Sequence, residues 1–477
     1  MNVMLIMVDE MDGRKMGCAG WEAIHTPNID ALAERGTIFE NAYCDSPLCV
    51  PSRASFVTGR HVHDIHCWDN TSAFDESWET FGHRLERQGV PVTALGKMHF
   101  VEPFDDHGFE RTFEAAPQET GDICAGFRDP MCRRRNARER LEQAGARELS
   151  EHVDNEVHSR SIDFLRSSEA KDGPWMLWSS YRNPHFPHFA PEEYYDLYPE
   201  EEIELPPMGD TKRLNQLNRD LRYHFEVDEP VDEETWIRNV RGYHALISYV
   251  DHFVGELMAA LDDEGLADDT VVIFTSDHGE MLGSHGLWWK CAPFEPSVRV
   301  PLIMAGPDIE KGERIERPVG QVNLFPTIVD AADCELTEED EDLPGASLLP
   351  VARGDGEDDL PDTVISQYHA HGVRNGWFMV RRDELKLIHY HGYGHEMYDV
   401  SEDPDEMRDL ARDPQSHNQL ARLDGTLHDL VNPDVVDTTA KADQEARLDY
   451  LRERVGNDEF EQMVAEKCAF DDEESST

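Results

Sequence analysis

This sequence predicts an α/β fold with a mostly parallel central sheet and a smaller C-terminal α+β unit, and three observations predict it. Short apolar runs alternate with longer amphipathic or polar stretches, as strands do when each crosses to its neighbour through a helix. Four of those runs end in chemically capable residues, the arrangement expected where ligands bind beyond the carboxyl ends of parallel strands. The chain is 477 residues long, more than the ~250–300 that one core usually serves, so a second unit is expected.

Taken in order, Val3–Val8 is the first strand and leads into Asp9-Glu10, and Pro27–Arg35 follows as a helix. Val90–Leu95 leads into Gly96-Lys97-Met98-His99. Val153–Ser167 is helical, and Trp175–Tyr181 leads into Asn183-Pro184-His185. Arg241–Asp262 reads as an amphipathic helix whose core face carries Tyr243, Leu246, Ile247, Val250, Val254 and Leu257. Val271–Phe274 then leads into Ser276-Asp277-His278-Gly279-Glu280, so all four sets are expected at the same edge of one sheet.

The polar regions of about Ala116–Ser150 and Glu200–Glu234 have weak periodicity and are expected as insertions over one face. The acidic stretch from Glu338 to Asp362 reads as a connection, which gives a large domain over 1–360. Val364–Tyr368, Trp377–Arg382 and Leu385–Tyr390 read as successive strands of a small antiparallel sheet in a subdomain over 361–440. A charged, partly helical tail occupies 441–477.

Hydrophobic residues make up 39% of the chain, enough for a sizeable core. Acidic residues number 99 against 44 basic ones, a net charge of −55, which argues against nucleic acid and anionic membranes as partners. Lysine is confined to Lys15, Lys97, Lys171, Lys212, Lys290, Lys311, Lys386, Lys441 and Lys467. An acidic, lysine-poor composition fits a halophilic protein, because concentrated salt screens the self-repulsion. Met1 runs directly into an apolar stretch and then acids, with no basic leader, and no apolar run approaches the ~20 residues of a membrane span. A cytoplasmic protein is expected. The odd set of nine cysteines lacks paired CxxC spacing, so neither a disulfide framework nor a zinc site is indicated and most thiols are expected to be inert.

The segment Cys49-Val50-Pro51-Ser52-Arg53-Ala54-Ser55-Phe56-Val57-Thr58-Gly59-Arg60 resembles the sulfatase signature, in which the cysteine is oxidised after synthesis to formylglycine. Pro51 suits the start of a helix, which would set Cys49 at a helix N-terminus favourable to an anion, with Arg53 as a fixed positive donor. Asp9-Glu10 and Asp277-His278 match the family's metal-binding pairs, although aspartate is commoner than glutamate at the second position of the first pair. Gly96-Lys97-Met98-His99 is similar to the family's Gly-Lys-x-His motif, and Pro184-His185-Phe186-Pro187 to its Pro-His-x-Pro loop. Lys290, in Gly286-Leu287-Trp288-Trp289-Lys290, falls where the family places a second active-site lysine. Taken singly, each has a plainer reading: Cys49 as a structural thiol, Asp9 as a helix cap, Lys97 and His99 as a solvated turn.

The resemblance runs from Met1 to about Pro414. It implies an alkaline-phosphatase-like α/β/α sandwich and a sulfatase whose metal-bound residue 49 attacks sulfur while His185 or Lys290 protonates the departing oxygen. His99 then takes the proton that releases sulfate, and Arg53, Lys97 and Lys290 offset its charge. The ligands implied are Asp9, Glu10, residue 49, Asp277 and His278, around one divalent ion: Ca²⁺ first, with Mg²⁺ or Mn²⁺ tolerated by the histidine nitrogen.

The partners implied are a small sulfated substrate, whether choline sulfate, an aryl sulfate or a sulfated sugar, and a formylglycine-generating or other maturating enzyme. A homo-oligomer stays open. A phosphonate monoester or phosphodiester hydrolase with the same nucleophile is the nearest alternative, and a non-catalytic relative that binds sulfated ligands is the alternative of another class. His61, His63 and His66 are read as rim and packing residues, and His389, His391 and His395 as part of the second unit's sheet and its approach to the pocket. Trp288 and Trp289 read as packing that could also offer faces to a cation. Tyr398-Asp399 with Asp403-Pro404-Asp405-Glu406 resembles a structural marker of the family.

Overall fold

The computed structural model describes residues 1–470 apart from 76, 102–105, 115–120 and 357–359. The start of the first expected insertion, part of the expected connection and the tail's 471–477 lie outside the described residues.

The large sheet uses eight strands. In chain order the elements that matter are β1 (Asn2–Asp9), α1 (Pro27–Glu34), β2 (Gly36–Phe39), α2 (Cys49–Thr58), β3 (Val92–Gly96) and β4 (Arg111–Glu114). They continue with α3 (Val153–Arg166), β5 (Met176–Pro184), α4 (Glu233–Asp263), β6 (Thr270–Ser276), β7 (Leu302–Ala305) and β8 (Glu313–Ile315). The strand order is β8-β2-β7-β6-β1-β5-β3-β4. Only β7 runs against the rest, so the sheet is mostly parallel as expected.

β1 lies at the centre and every one of its residues is buried, which is why it reads as an unbroken apolar run rather than an alternating one. The helices gather in two separate groups, α1 with α3 and α4, and α2 with Phe81–Glu86 and Leu324–Ala331, giving layers on either side of the sheet. α4 begins at Glu233, two turns before the expected Arg241, because Asp232 caps it through the Thr235 N–H and its first turns bury Trp236 and Val240 among polar neighbours.

The C-terminal sheet has four antiparallel strands in sequence order, β9 (Thr363–Tyr368), β10 (Trp377–Arg382), β11 (Leu385–Tyr390) and β12 (Gly394–Asp399). The last was not expected, since His395, Glu396 and Asp399 hide its alternation. Period-2 alternation divides β10 between two cores: Trp377 and Met379 join the main core, while Phe378 and Val380 face Leu423, Leu427 and Val436. Those last residues belong to α5 (His417–Leu430) and α6 (Pro433–Val455).

The tail returns through α7 (Asn457–Lys467), and Cys468–Ala469 pairs with Arg133–Arg134 of the first insertion. Buried Cys124, Cys132 and Cys468 meet there, with Cys124 Sγ 2.7 Å from Cys468 Sγ. Hydrogen bonds from Cys132 and Cys468 push the Cys124 thiol down to about 4, which sets this trio apart from the inert majority expected. All nine thiols are free. No helix among the described residues is long and apolar enough to cross a membrane.

Candidate active site

Strand register assembles the site. Val8 of β1 stands opposite Ser276 of β6, so Asp9 and Asp277 leave the sheet side by side. Glu10 turns into a left-handed conformation (φ 70°), held by its N–H on Asp277 Oδ1 at 3.1 Å and its carbonyl on the Tyr243 hydroxyl at 2.8 Å. Gly96 of β3 pairs with Ser180 of β5, and a Cβ there would fall 1.9 Å from the Ser180 carbonyl oxygen. Only glycine lets the strands approach so closely, and the next residue, Lys97, is aimed at Asp9.

Cys49 opens α2, whose residues are all buried. Its Sγ lies 3.2 Å from His278 Nε2, 3.4 Å from Lys97 Nζ and 3.8 Å from Asp9 Oδ1. Ligand atoms of Asp9, Cys49, Asp277 and His278 all fall within 4.8 Å of one another. Two carboxylates and an imidazole converging on one point suit a hard or borderline divalent cation, so the donor set fits the metal that the motifs imply. Glu10 stands in a second group, with Asp9 and His185. Its Oε2 takes Lys290 Nζ at 2.9 Å and His185 Nε2 at 3.1 Å, and the side chain also meets the Glu280 carboxyl.

Arg53 has partners that its motif does not reveal. Its Nε donates to Asp277 Oδ2 at 2.8 Å and its Nη1 to the Lys97 carbonyl and the Ser180 hydroxyl, which leaves only Nη2 without a partner. Arg53 therefore braces Asp277 and Lys97. The ring nitrogens of His99 are buried with no well-formed hydrogen bond among the described residues, although Cys49 is within reach of the ring, and His99 also takes a left-handed backbone (φ 60°). His185 stacks on Phe186, and Lys290 lies over the same ring.

The electrostatics are polarised. Burial opposes ionisation of Asp9, but Lys97, His185 and Lys290 outweigh it and hold the carboxyl well below its usual range. Burial likewise opposes a Cys49 thiolate, and Lys290, Lys97 and His278 overcome it. Burial and Lys290 push His185 down to about 3, and burial with Lys97 lowers His99, so both imidazoles are neutral. Lys290, despite burial, is held protonated by Cys49, Glu10 and Asp9. Burial, Glu280 and Asp9 push Glu10 up against the pull of Lys290.

A cavity of about 380 Å³ opens above Cys49, His99, His185 and Lys290. Phe186, Phe225 and Trp289 line it, as do Arg134, Arg135 and Arg140 of the insertion and Glu466 and Lys467 of the tail. Trp288 instead packs on Trp236.

Sequence reasoning missed that wall, and it also missed Asn70, which accepts the Val50 N–H, and Glu280, which accepts the Leu282 and Trp289 N–H groups and so shapes the Lys290 loop. The Asp277-His278-Gly279-Glu280 run was a signal for Glu280; nothing local signals Asn70. His61 pairs with Asp45 and His63 with Gln367. His389 and His395 meet Asp424 of α5 and do not approach the pocket, which corrects the expectation; His371 is the second unit's histidine in its lining.

The sulfatase family model matches residues 1–334, and a model described as the C-terminal region of N-sulphoglucosamine sulphohydrolase matches 283–432. A choline-sulfatase of Rhizobium meliloti is 33% identical over 428 residues, covering 85% of this chain and 81% of that protein. Human arylsulfatase K is 26% identical, covering 90% and 82%. Among solved structures, a phosphonate monoester hydrolase of Agrobacterium radiobacter superposes with a TM-score of 0.74 at 22% identity, covering 90% of this chain and 95% of that one. A chain in complex with its substrate D-glucosamine-2-N,6-O-disulfate does so with 0.72 at 22%, covering 92% and 98%. With family matches spanning both units and the motif residues converging on one buried centre, this chain belongs to the sulfatase family.

Proposed function

We propose that the chain hydrolyses a sulfuric ester to an alcohol and inorganic sulfate, with residue 49 as nucleophile once a maturating enzyme has oxidised Cys49 to formylglycine. The observation that carries this reading is the surroundings of residue 49, where two carboxylates, an imidazole and two ammonium groups converge at the floor of a cavity.

Asp9, Asp277, His278 and residue 49 would hold one divalent ion, Ca²⁺ foremost. Bound there, it would supply positive charge against the sulfate and favour the ionised nucleophile. Hydrated formylglycine would supply two hydroxyls on one carbon, one to attack and one whose deprotonation releases sulfate.

The chain's own residues do the rest. Arg53 fixes the Asp277 carboxylate and the Lys97 carbonyl, so neither has to reorganise. Lys97 and Lys290 set ammonium charge beside the sulfate, and Lys290, held protonated, or His185 gives the departing oxygen its proton. His99, whose ring nitrogens are otherwise unengaged, accepts a proton on the residue-49 side of the cavity. Glu10 orients Lys290 and His185 through a shared oxygen.

The cavity wall favours an aryl or sugar alcohol over choline, because Arg134 and Asp122 cancel as a pair and Arg135, Arg140 and Lys467 outnumber Glu466. A quaternary ammonium group would meet like charge there.

The test is twofold. The peptide bearing Cys49, taken from protein purified from its native host, should show the mass of an aldehyde in place of a thiol. Aryl, sugar and choline sulfates, aryl phosphonate and a phosphodiester should then be assayed together, with sulfate esters expected to turn over fastest. An active enzyme with an intact thiol, or phosphorus esters ahead by orders of magnitude, overturns the assignment.

A further inference from the structure

The C-terminal sheet brings together a set of side chains that sulfate hydrolysis does not use. β11 and β12 pair so that His389 stands directly opposite His395. α5, packed on β11, presents Asp424 and, one turn further, His428. His389 Nδ1 lies 3.0 Å from His395 Nε2, and that same Nε2 lies 2.9 Å from Asp424 Oδ1. His389 Nδ1 is 3.7 Å from the same carboxylate oxygen, as is His428 Nδ1.

Hydrogen bonding holds this geometry only weakly. Whether neutral or charged, His395 carries at most one Nε2–H, which would have to be split between the Asp424 carboxylate and the His389 Nδ1 lone pair. A shared cation resolves the conflict, since all three atoms then offer lone pairs. Donors bound at the ~2.0–2.1 Å of zinc sites stand about 2.9 Å apart in octahedral and about 3.4 Å apart in tetrahedral coordination, and the observed separations bracket those values.

We propose that His389, His395 and Asp424 bind one divalent transition metal ion, zinc foremost, with His428 able to complete the set once its Nδ1 leaves the Asp424 backbone carbonyl. Two imidazoles and one carboxylate select zinc over calcium or magnesium. None of the four residues lines the catalytic cavity, so the site is structural, and it fastens the edge strand β12 to α5. The ligands come from a cross-strand pair and a helical i, i+4 pair, which the spacing along the chain conceals.

The experiment uses the full chain, stripped with a chelator, reloaded with Ca²⁺ and titrated with ZnCl₂ while bound zinc is measured by elemental analysis after desalting. Wild type is expected to retain one zinc more than His395→Ala or Asp424→Ala, and to melt several degrees higher with zinc than without. Asp424→Asn and His428→Ala guard against misfolding: both should keep sulfate-ester turnover, with zinc affinity lost in the first and weakened in the second. Loss of affinity at a direct ligand should exceed the roughly 10–100-fold caused by losing an outer-shell partner. Co²⁺ in place of zinc should give visible d–d absorption in wild type alone. Equal zinc content in wild type and His395→Ala, or no extra zinc in either at micromolar free metal, overturns the proposal without touching the sulfatase reading.

Discussion

Two buried clusters of opposite charge sit in this chain, and they differ in how they end. Between the large sheet and the C-terminal sheet, Glu295 meets Lys386 at 2.9 Å, the Tyr43 hydroxyl at 3.0 Å and Arg299 at 3.7 Å. Glu406 beside it takes Lys386 at 2.7 Å on one oxygen and the Glu295 N–H at 2.7 Å on the other. Around residue 49 the pairs are as intimate: Lys97 with Asp9, Lys290 with Glu10, Arg53 with Asp277. Yet Arg53 Nη2 and both nitrogens of His99 have no well-formed hydrogen bond among the described residues, and the Glu10 and Glu280 carboxyls face each other, both pushed up by burial. The first cluster matches its carboxylates with cations and joins the two sheets. The second leaves capacity unspent beside a cavity, and that, rather than buried charge as such, marks a site for chemistry.

The largest effects test this contrast at its two ends. Cys49→Ala should lower turnover of a sulfate ester by on the order of 10⁴–10⁶-fold, the scale of losing a covalent nucleophile, and leave the melting temperature nearly unchanged. A melt that collapses along with activity would show that the open cluster also holds the fold. Lys386→Met should do the converse, leaving Glu295 and Glu406 buried without their shared cation. A loss of about 3–5 kcal/mol in urea unfolding is expected from breaking a buried pair on one side, with kcat per folded molecule within about twofold of wild type.

Removing divalent ions with a chelator should abolish turnover and also lower stability, since an ion bound only to the folded state contributes about 2.7 kcal/mol at 100 times its Kd. Asp277→Asn should remove most of that ion dependence, whereas Lys386→Met should preserve it. Restoring activity in turn with Ca²⁺, Mg²⁺ and Mn²⁺ ranks the ions directly.

What the sequence made legible follows the same division. Strand ends could be read because a parallel sheet sends them to one edge, and the pairing of Val8 with Ser276 and Gly96 with Ser180 turns that rule into contacts. Partners could not be read. The motif names Arg53 but not its bond to Asp277, and it names Glu10 beside Asp9 but not the bonds of Glu10 to Lys290 and His185. The cavity wall was hidden for a different reason: Arg134 and Lys467 are brought together by a two-residue strand pairing across more than three hundred positions, with no periodicity to announce it. β12 stayed hidden because its polar residues serve different partners: His395 meets Asp424 of α5, Glu396 takes the Tyr390 and Tyr398 hydroxyls, and Asp399 caps the turn at Ser401.

The smallest effect probes whether the closed cluster is neutral to pH. Burial pushes Glu295 up, but Lys386, Arg381 and Arg299 outweigh it and bring it down to about 2, below the ordinary value of 4.5. Its contribution is therefore complete above pH 4.5 and is lost as pH falls toward 2. Glu406 moves the other way: burial and the neighbouring Glu295 push it up to about 7 against the pull of Lys386. Its contribution is complete below 4.5 and is lost as pH rises through 7, because the folded state then has to ionise a second carboxyl beside the first. Glu406→Gln keeps an acceptor for the Glu295 N–H and cannot ionise. Between pH 5 and 8 the wild type should lose about 2.5 kcal/mol relative to Glu406→Gln, read from urea unfolding at each pH. Parallel curves would mean that Lys386 holds both carboxylates charged throughout, and the closed cluster would then be a fixed ion triad rather than one that shares a proton.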